Sequence, residues 1–390
     1  MVSDFSDPFP SDDVPAVPDD EAAAPAAARR GRGAVGNVAH RFDTDSRRAI
    51  DDGWQGGGPE PEFEPPPLRT TVAVERARRI MSRNDSPDIP FDRSINPYRG
   101  CEHGCVYCFA RPTHAYLGLS PGLDFETRLV AKANAVEALR AELSRPGYRV
   151  DVLSLGAATD VYQPIEREWK LTRGLLELLL ETGHPLSIVT KGATVERDLD
   201  LFARLAARRL LAVYLTITTL DAAVARKLEP RAAAPWRRLE AIRALSAAGV
   251  PVGVSVAPVI PFITDDQLER VLEAAREAGA QAAFYTVLRL PWEVEPVFTN
   301  WLEAHYPDRK ARVMHCIESL RGGRHNDPRF GTRMRGEGIW ADLIRQRFAR
   351  AVRAAGYSQQ RIELDTTQFV PPRRDVKRRA DGDAPQLALF

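Results

Sequence analysis

The spacing of apolar residues changes along this chain, and each change marks an element. Val150-Asp151-Val152-Leu153-Ser154-Leu155 and Leu186-Ser187-Ile188-Val189-Thr190 read as strands, while Ile165 to Leu180 sets Leu171, Leu175, Leu178 and Leu179 on one helical face. The exchange continues with a helix over Val195 to Arg209 (Leu199, Phe202 and Leu205 inward), a strand over Leu211 to Ile217 and a helix over Pro235 to Ala248, stopped by Gly249. A strand over Val252 to Val256, a helix over Asp265 to Ala278 and a strand over Ala282 to Leu288 complete it. Ahead of these, Phe125 to Ala131 predicts a short strand, Asn134 to Leu143 a helix, and Val72 to Met81 a short helix leading into the core. Repeated strand–helix units of roughly 30 residues are the signature of parallel strands joined by crossover helices. About six such strands follow from Ile95 onward, and the span is short of the roughly 250 residues of a closed eight-fold barrel. The expectation is an α/β fold built on a partial (β/α)6 barrel; a doubly wound sheet would satisfy the same periodicity.

The flanks have no such pattern. Residues 1–68 are rich in Asp, Pro, Ala and Gly, with Gly56-Gly57-Gly58 and Pro65-Pro66-Pro67. Such a segment buries too little apolar surface to offset its ordering entropy, and reads as a disordered tail. The expected organisation is that tail, a core over 69–300, a basic and mostly helical extension over 301–370, and a disordered basic tail over 371–390.

Composition is ordinary at 44% hydrophobic, and the formal net charge is only +1. Its distribution is not ordinary: residues 1–25 hold seven acids and no Lys or Arg, while residues 309–350 hold eleven Lys and Arg against four Asp and Glu. No apolar run has the length of a membrane span, and the acidic start lacks the features of a signal peptide, so a cytoplasmic protein is expected.

The densest chemistry lies in Cys101-Glu102-His103-Gly104-Cys105-Val106-Tyr107-Cys108, three of the four cysteines in eight residues. Three thiolates on one glycine-containing loop can converge on a metal centre, and soft ligands favour iron–sulfur clusters, zinc or Cu(I). A four-iron cube with three protein ligands keeps one iron open for a cofactor or substrate. A structural zinc would need a fourth ligand, with His103, His114 or Cys316 as candidates. A disulfide is disfavoured by the low cysteine count and the absence of any sign of secretion.

The C-x3-C-x2-C motif resembles the cluster loop of the radical S-adenosylmethionine (SAM) enzymes. That resemblance implies a [4Fe–4S] cluster on Cys101, Cys105 and Cys108, SAM as cofactor, and six strand–helix units. It also implies SAM contacts in the loops at the carboxyl ends of the strands: Tyr107 near the adenine, Thr159 and Asp160 at the amino group, Lys191 at the carboxylate, and Thr218. Many of these enzymes carry Gly-Glu where this chain has Gly156-Ala157-Ala158-Thr159-Asp160, so Asp160 would have to stand in; it could equally cap the following helix. The segments Thr216 to Asp221, Leu228-Glu229-Pro230-Arg231 and Ala257 to Pro261 are similar to the spore photoproduct lyase-like branch. True lyases of that branch place a hydrogen-donating cysteine in the loop after the second core strand. This chain has none there; Cys316 is the remaining thiol, a candidate donor or a small buried hydrophobe.

Two C-terminal features bear on the substrate. Arg321 to Asn326 and Arg329 to Gly336 interleave Arg with Gly and aromatic residues, which suits phosphate contacts and base stacking. The final Gln386-Leu387-Ala388-Leu389-Phe390 resembles the bacterial sliding-clamp-binding motif, with Gln386, Leu387, Leu389 and Phe390 as its contacts. Three functions follow as expectations: a radical SAM enzyme of DNA repair or nucleic-acid modification, served by a reducing electron donor; a radical SAM enzyme acting on a protein or small molecule; and a non-catalytic, metal-stabilised nucleic-acid-binding module.

Overall fold

The computed structural model describes residues 29–44, 68–358 and 360–372. Among the described residues ten strands follow in order: β1 (Thr71–Glu75), β2 (Met81–Arg83), β3 (Arg93–Ile95), β4 (Tyr98–Arg99), β5 (Arg128–Lys132), β6 (Leu153–Leu155), β7 (Leu186–Thr190), β8 (Leu211–Thr216), β9 (Val252–Val259) and β10 (Ala282–Val287). The strands β3, β6, β7, β8, β9 and β10 lie side by side in chain order, all parallel, and β2 adds an antiparallel edge to β3. A doubly wound sheet reverses its strand order at a switch point. This sheet never reverses, and β3 and β10 do not pair, so it is an open, partial barrel.

The two faces of the sheet differ. Leu153, Leu155, Leu186, Ile188, Leu211, Val213, Leu215, Val252 and Val254 are fully buried in the main core under the crossover helices. On the opposite face Ser154 stands between Ser94 and Ser187, Tyr214 beside Gly253, and Phe284 beside Ser255. Parallel sheets are usually apolar on both faces. Here the inner face carries hydroxyls and small residues around one aromatic pair, Tyr214 and Phe284, 5.5 Å apart. A Cβ at position 253 would come within 2.4 Å of the Tyr214 ring, which accounts for the glycine.

Several expected elements change in detail. Val72 to Met81 is not a helix: its β-branched residues enter β1, which pairs with β5, and β2 follows. The predicted helix over Ile165 to Leu180 is two, Glu166–Trp169 and Leu171–Thr182, separated by Lys170 at φ 49°. The predicted helix over Val195 to Arg209 begins as a 3₁₀ turn, Ala193–Asp198, before the helix Leu199–Ala207. The predicted strand over Phe125 to Ala131 divides into a helical turn, Asp124–Thr127, and β5, which joins β1 and β4 in a separate small sheet. The basic extension is largely helical, with Val294–His305, Pro307–Leu320 and Ile339–Ala354.

The largest correction concerns the N-terminal tail. Residues 29–44 are folded onto the core, with Ala34 and Val35 buried; residues 1–28 and 45–67 of that tail, and residues 373–390 of the predicted tail over 371–390 with its terminal pentapeptide, lie outside the described residues. No helix among the described residues is long and apolar enough to cross a membrane.

Candidate active site at the cysteine loop

The cysteine loop leaves β4 through Gly100 at φ 74° and turns again at Gly104, φ 69°. Side chains cannot replace either glycine: a Cβ on Gly100 would come within 2.8 Å of the Phe125 carbonyl, and one on Gly104 within 2.9 Å of the Glu126 carboxylate. The loop is fixed by Cys101 N–H donating to the Phe125 carbonyl (3.0 Å), Glu102 N–H to the Gln163 amide oxygen (3.0 Å) and Val106 N–H to the Leu228 carbonyl (3.1 Å). Cys101 and Cys105 are buried, Cys108 is half-buried, and all are free thiols. Burial pushes the Cys105 thiol up to about 12, with Lys191 acting in the opposite direction, and burial likewise raises Cys101. A bound metal would reverse this by stabilising the thiolates.

The donor set fits a cluster better than a zinc ion. Among the described residues no three His, Cys, Asp or Glu side chains are gathered around one ion position. Of the three candidate fourth ligands the two histidines each commit one ring nitrogen, while His114 Nδ1 is buried without a partner. His103 Nδ1 faces the Asp160 carboxylate at 3.2 Å, and His114 Nε2 sits 2.9 Å from the Arg128 carbonyl. Cys316 belongs to the main core with Leu320, Ala341 and Ile344, whereas Cys105 packs with Val106 and Tyr107 in a different apolar group. A cube binds each thiolate at a different iron, so its cysteines need not converge on one point.

Behind the loop lies a polar network that the sequence pattern did not assign. Glu229 accepts hydrogen bonds from the Tyr107 hydroxyl, the Thr218 hydroxyl and the Arg238 guanidinium, all buried. Burial alone would raise the Glu229 carboxyl, but Arg238 and Lys191 outweigh it and hold it down at about 2. Lys191 Nζ stands 5.7 Å from the Tyr107 ring centre. Burial works to lower this ammonium, yet Cys105 and Glu229 keep it above its ordinary value. Tyr107, Thr218 and Lys191 are therefore brought together beside Cys105.

Asp160 and Thr159 have other partners. One Asp160 oxygen accepts from the Thr190 hydroxyl (2.7 Å) and Tyr162 N–H (2.8 Å); the other accepts from Lys191 N–H (2.7 Å) and faces His103. All four lone-pair positions of the carboxylate are filled, which leaves none for the ammonium group expected there. Asp160 is not a helix cap either, since the next helix begins at Glu166. It ties the end of β7 to the cysteine loop. The Thr159 hydroxyl donates to the Tyr98 carbonyl at 3.0 Å.

The other side of the loop is closed by the N-terminal segment. Glu126, fully buried, accepts from Gly33 N–H (3.0 Å), Ala34 N–H (2.8 Å) and Arg111 (2.5 Å). Arg111, also fully buried, gives its remaining donors to the carbonyls of Gly104, Cys105, Pro121 and Gly122. Arg32 reaches the Glu126 carbonyl at 2.9 Å and the Leu68 carbonyl at 2.6 Å. Residues 32–35 thus form a strap across the loop. No local spacing signals these contacts, because strap, loop and Glu126 are far apart in the chain.

Comparison with known proteins agrees with this geometry. Residues 95–275 match the family model of the Radical SAM superfamily, whose cofactors are a [4Fe–4S] cluster and SAM. An uncharacterised protein of Mycobacterium tuberculosis is 40% identical over 226 residues, covering 57% of this chain and 66% of that protein. This chain therefore spans just under two thirds of that relative's length. An uncharacterised protein of Methanocaldococcus jannaschii is 27% identical over 214 residues, 55% of this chain and 76% of that protein. Among solved structures, a spore photoproduct lyase complexed with a dinucleoside spore photoproduct has a TM-score of 0.52 at 16% identity, covering 73% of this chain and 79% of its own. At that identity the likeness is one of fold.

Proposed function

With residues 95–275 a member of the radical SAM superfamily, we propose that this protein is a radical SAM enzyme acting on nucleic acid, in DNA repair or modification. Cys101, Cys105 and Cys108 would hold the cluster, which together with SAM would supply radical chemistry for hydrogen abstraction. The chain's own residues bind and shield. Lys191 offers an ammonium group beside Cys105 for the SAM carboxylate. Glu229 fixes the Tyr107 hydroxyl and so the ring that follows Cys105. The strap and the Arg111–Glu126 pair keep water from the rear of the loop.

The observation that carries the reading is the set of three free thiols on a loop over the carboxyl ends of a parallel sheet, where such folds place their ligands. A nucleic-acid substrate is supported by the eleven Lys and Arg of residues 309–350 and by ring–guanidinium pairs such as Phe330 and Arg333, 4.8 Å apart. The pentapeptide Gln386 to Phe390 would tether the enzyme to a sliding clamp. The fold likeness to a lyase complexed with a dinucleoside photoproduct points the same way. Cys316, buried in the main core, remains a candidate hydrogen donor only if the extension moves.

Anaerobic reconstitution tests the reading. About four irons per chain are expected, lost in Cys101→Ala, with 5′-deoxyadenosine formed from SAM on reduction and more of it when damaged DNA is added. Zinc in place of iron, or a reducible cluster that leaves SAM intact, would overturn it.

A further inference from the structure

Three arginines meet near the end of β10, and they are not alike. Arg321 is buried and donates to the carbonyls of Leu288 (2.8 Å) and Arg333 (2.8 Å), among others. Arg333 is held by both oxygens of Asp88, at 2.8 and 2.6 Å. Arg289, two residues past β10, is half-buried and has no hydrogen-bond acceptor or carboxylate partner among the described residues. Its guanidinium lies 4.9 Å from the centre of the Phe109 ring. Phe109 directly follows Cys108 and is 47% exposed.

A guanidinium carries five donors that need acceptors or water. Burial, and then the neighbouring Arg333, hold Arg289 below its ordinary value, with Asp88 and Cys108 acting against them. The fold therefore keeps a partly desolvated cation near Cys108 with no hydrogen-bonded counter-ion of its own among the described residues. An exposed phenyl ring by itself would mean little. With that cation over one of its faces, the pair joins a stacking ring to a charge, which matches the two parts of a nucleotide.

We propose that Arg289 and Phe109 form the substrate's nucleotide subsite at the rim of the cysteine loop, the guanidinium holding a phosphate through paired hydrogen bonds and the ring carrying the adjoining base. This rests on the reading of the protein as an enzyme of nucleic acid. It places the substrate strand next to Cys108, with Phe330 and Arg333 continuing the surface outward.

The test is binding of a fluorescent short oligothymidylate to the reconstituted full-length protein across a salt series. Arg289→Gln is expected to weaken binding about ten-fold and to lower the salt slope by about one. Arg289→Lys is expected to keep the slope, since the charge remains, while losing affinity with the paired geometry. Phe109→Ala is expected to lose about ten-fold or more with the slope unchanged. Iron content at the wild-type level in each variant checks the fold; if Arg289→Gln loses iron, the Arg289→Lys and Phe109→Ala results decide. Wild-type affinity and slope in these variants would overturn the subsite while leaving the nucleic-acid reading in place. A loss confined to SAM affinity would do the same. A wild-type protein that binds no oligonucleotide would overturn the nucleic-acid reading and the subsite with it.

Discussion

The two sides of the cysteine loop are built differently. On the strap side every guanidinium is hydrogen-bonded: Arg111 meets Glu126 and four carbonyls, and Arg32 meets two carbonyls and a hydroxyl. On the rim side Arg289 has no acceptor among the described residues, and Phe109 and Phe330 are 47% and 55% exposed. Matched buried ions hold a structure in one arrangement, whereas an unmatched cation at a surface is free to take a ligand's charge. The difference separates the part of the loop that would hold the cluster from the part that would meet a substrate.

The largest expected effect is on the strap side. Glu126→Ala leaves the Arg111 guanidinium buried without its counter-ion and frees the backbone of Gly33 and Ala34. Breaking a buried pair in this way costs about 3–5 kcal/mol. The variant should unfold at markedly lower urea concentration and retain less iron. A cost below about 1 kcal/mol, the range of a surface pair, would erase the distinction between the two sides.

Glu229 gives the second effect, read through pH. Its carboxyl is held at about 2, below its ordinary 4.5. A depressed carboxylate stabilises the fold fully above its unfolded value and loses that contribution as pH falls through the folded one. The wild type should therefore lose about 2–3 kcal/mol between pH 5 and pH 2, and Glu229→Gln should show a flatter decline over the same window. Equal slopes in urea titrations across these pH values would mean that Glu229 is not a charged anchor for Tyr107 and Arg238.

Gly33→Ala ranks third. Its new Cβ would fall 1.8 Å from the Gly104 carbonyl oxygen, a backbone atom that cannot swing aside. Overpacking of this kind costs about 1–3 kcal/mol, and lifting the strap relieves it. Faster tryptic cleavage at Arg30 and Arg32 with the core left intact is the expected result; unchanged cleavage would place the strap outside the loop's support.

How legible these features are in the sequence depends on the range of their contacts. The strand at Leu186–Thr190 has the predicted bounds, because a helix end at Gly183 and a turn at Lys191 frame an alternating run. The predicted helix from Ile165 to Leu180 breaks at Lys170 because Ile165 and Leu171 pack with Tyr98 and Leu129 in a group apart from the main core, a tertiary demand with no local period. The three cysteines are visible because their ligand spacing is itself local. Glu126 and Glu229 are not, since their side-chain partners lie from 9 residues away (Arg238 for Glu229) to 122 (Tyr107 for Glu229), at no spacing of a local element. The strap reads as disordered because its sequence is poor in large apolar residues; it is held through backbone N–H groups and Arg32, which hydrophobic patterning does not register. Asp160 shows the converse: its position in the loop suggests a ligand contact, and its neighbours consume it.

The smallest effect on stability belongs to the rim and sharpens the comparison most. Phe330 is largely exposed, with Arg333 over its ring at 4.8 Å and no place in the apolar core. Phe330→Ala should change the unfolding free energy from urea titration by no more than about 0.5 kcal/mol and leave the iron content as in the wild type. If the rim is a stacking surface, the same variant should bind a short oligothymidylate several-fold more weakly, with an unchanged salt slope because no cation has been removed. The paired Arg333→Gln should then lower the slope as well, though Asp88, released from its partner, will repel phosphate and add to the loss. A ring that can be removed without touching either stability or binding would confine substrate contact to Phe109 and Arg289, directly beside Cys108.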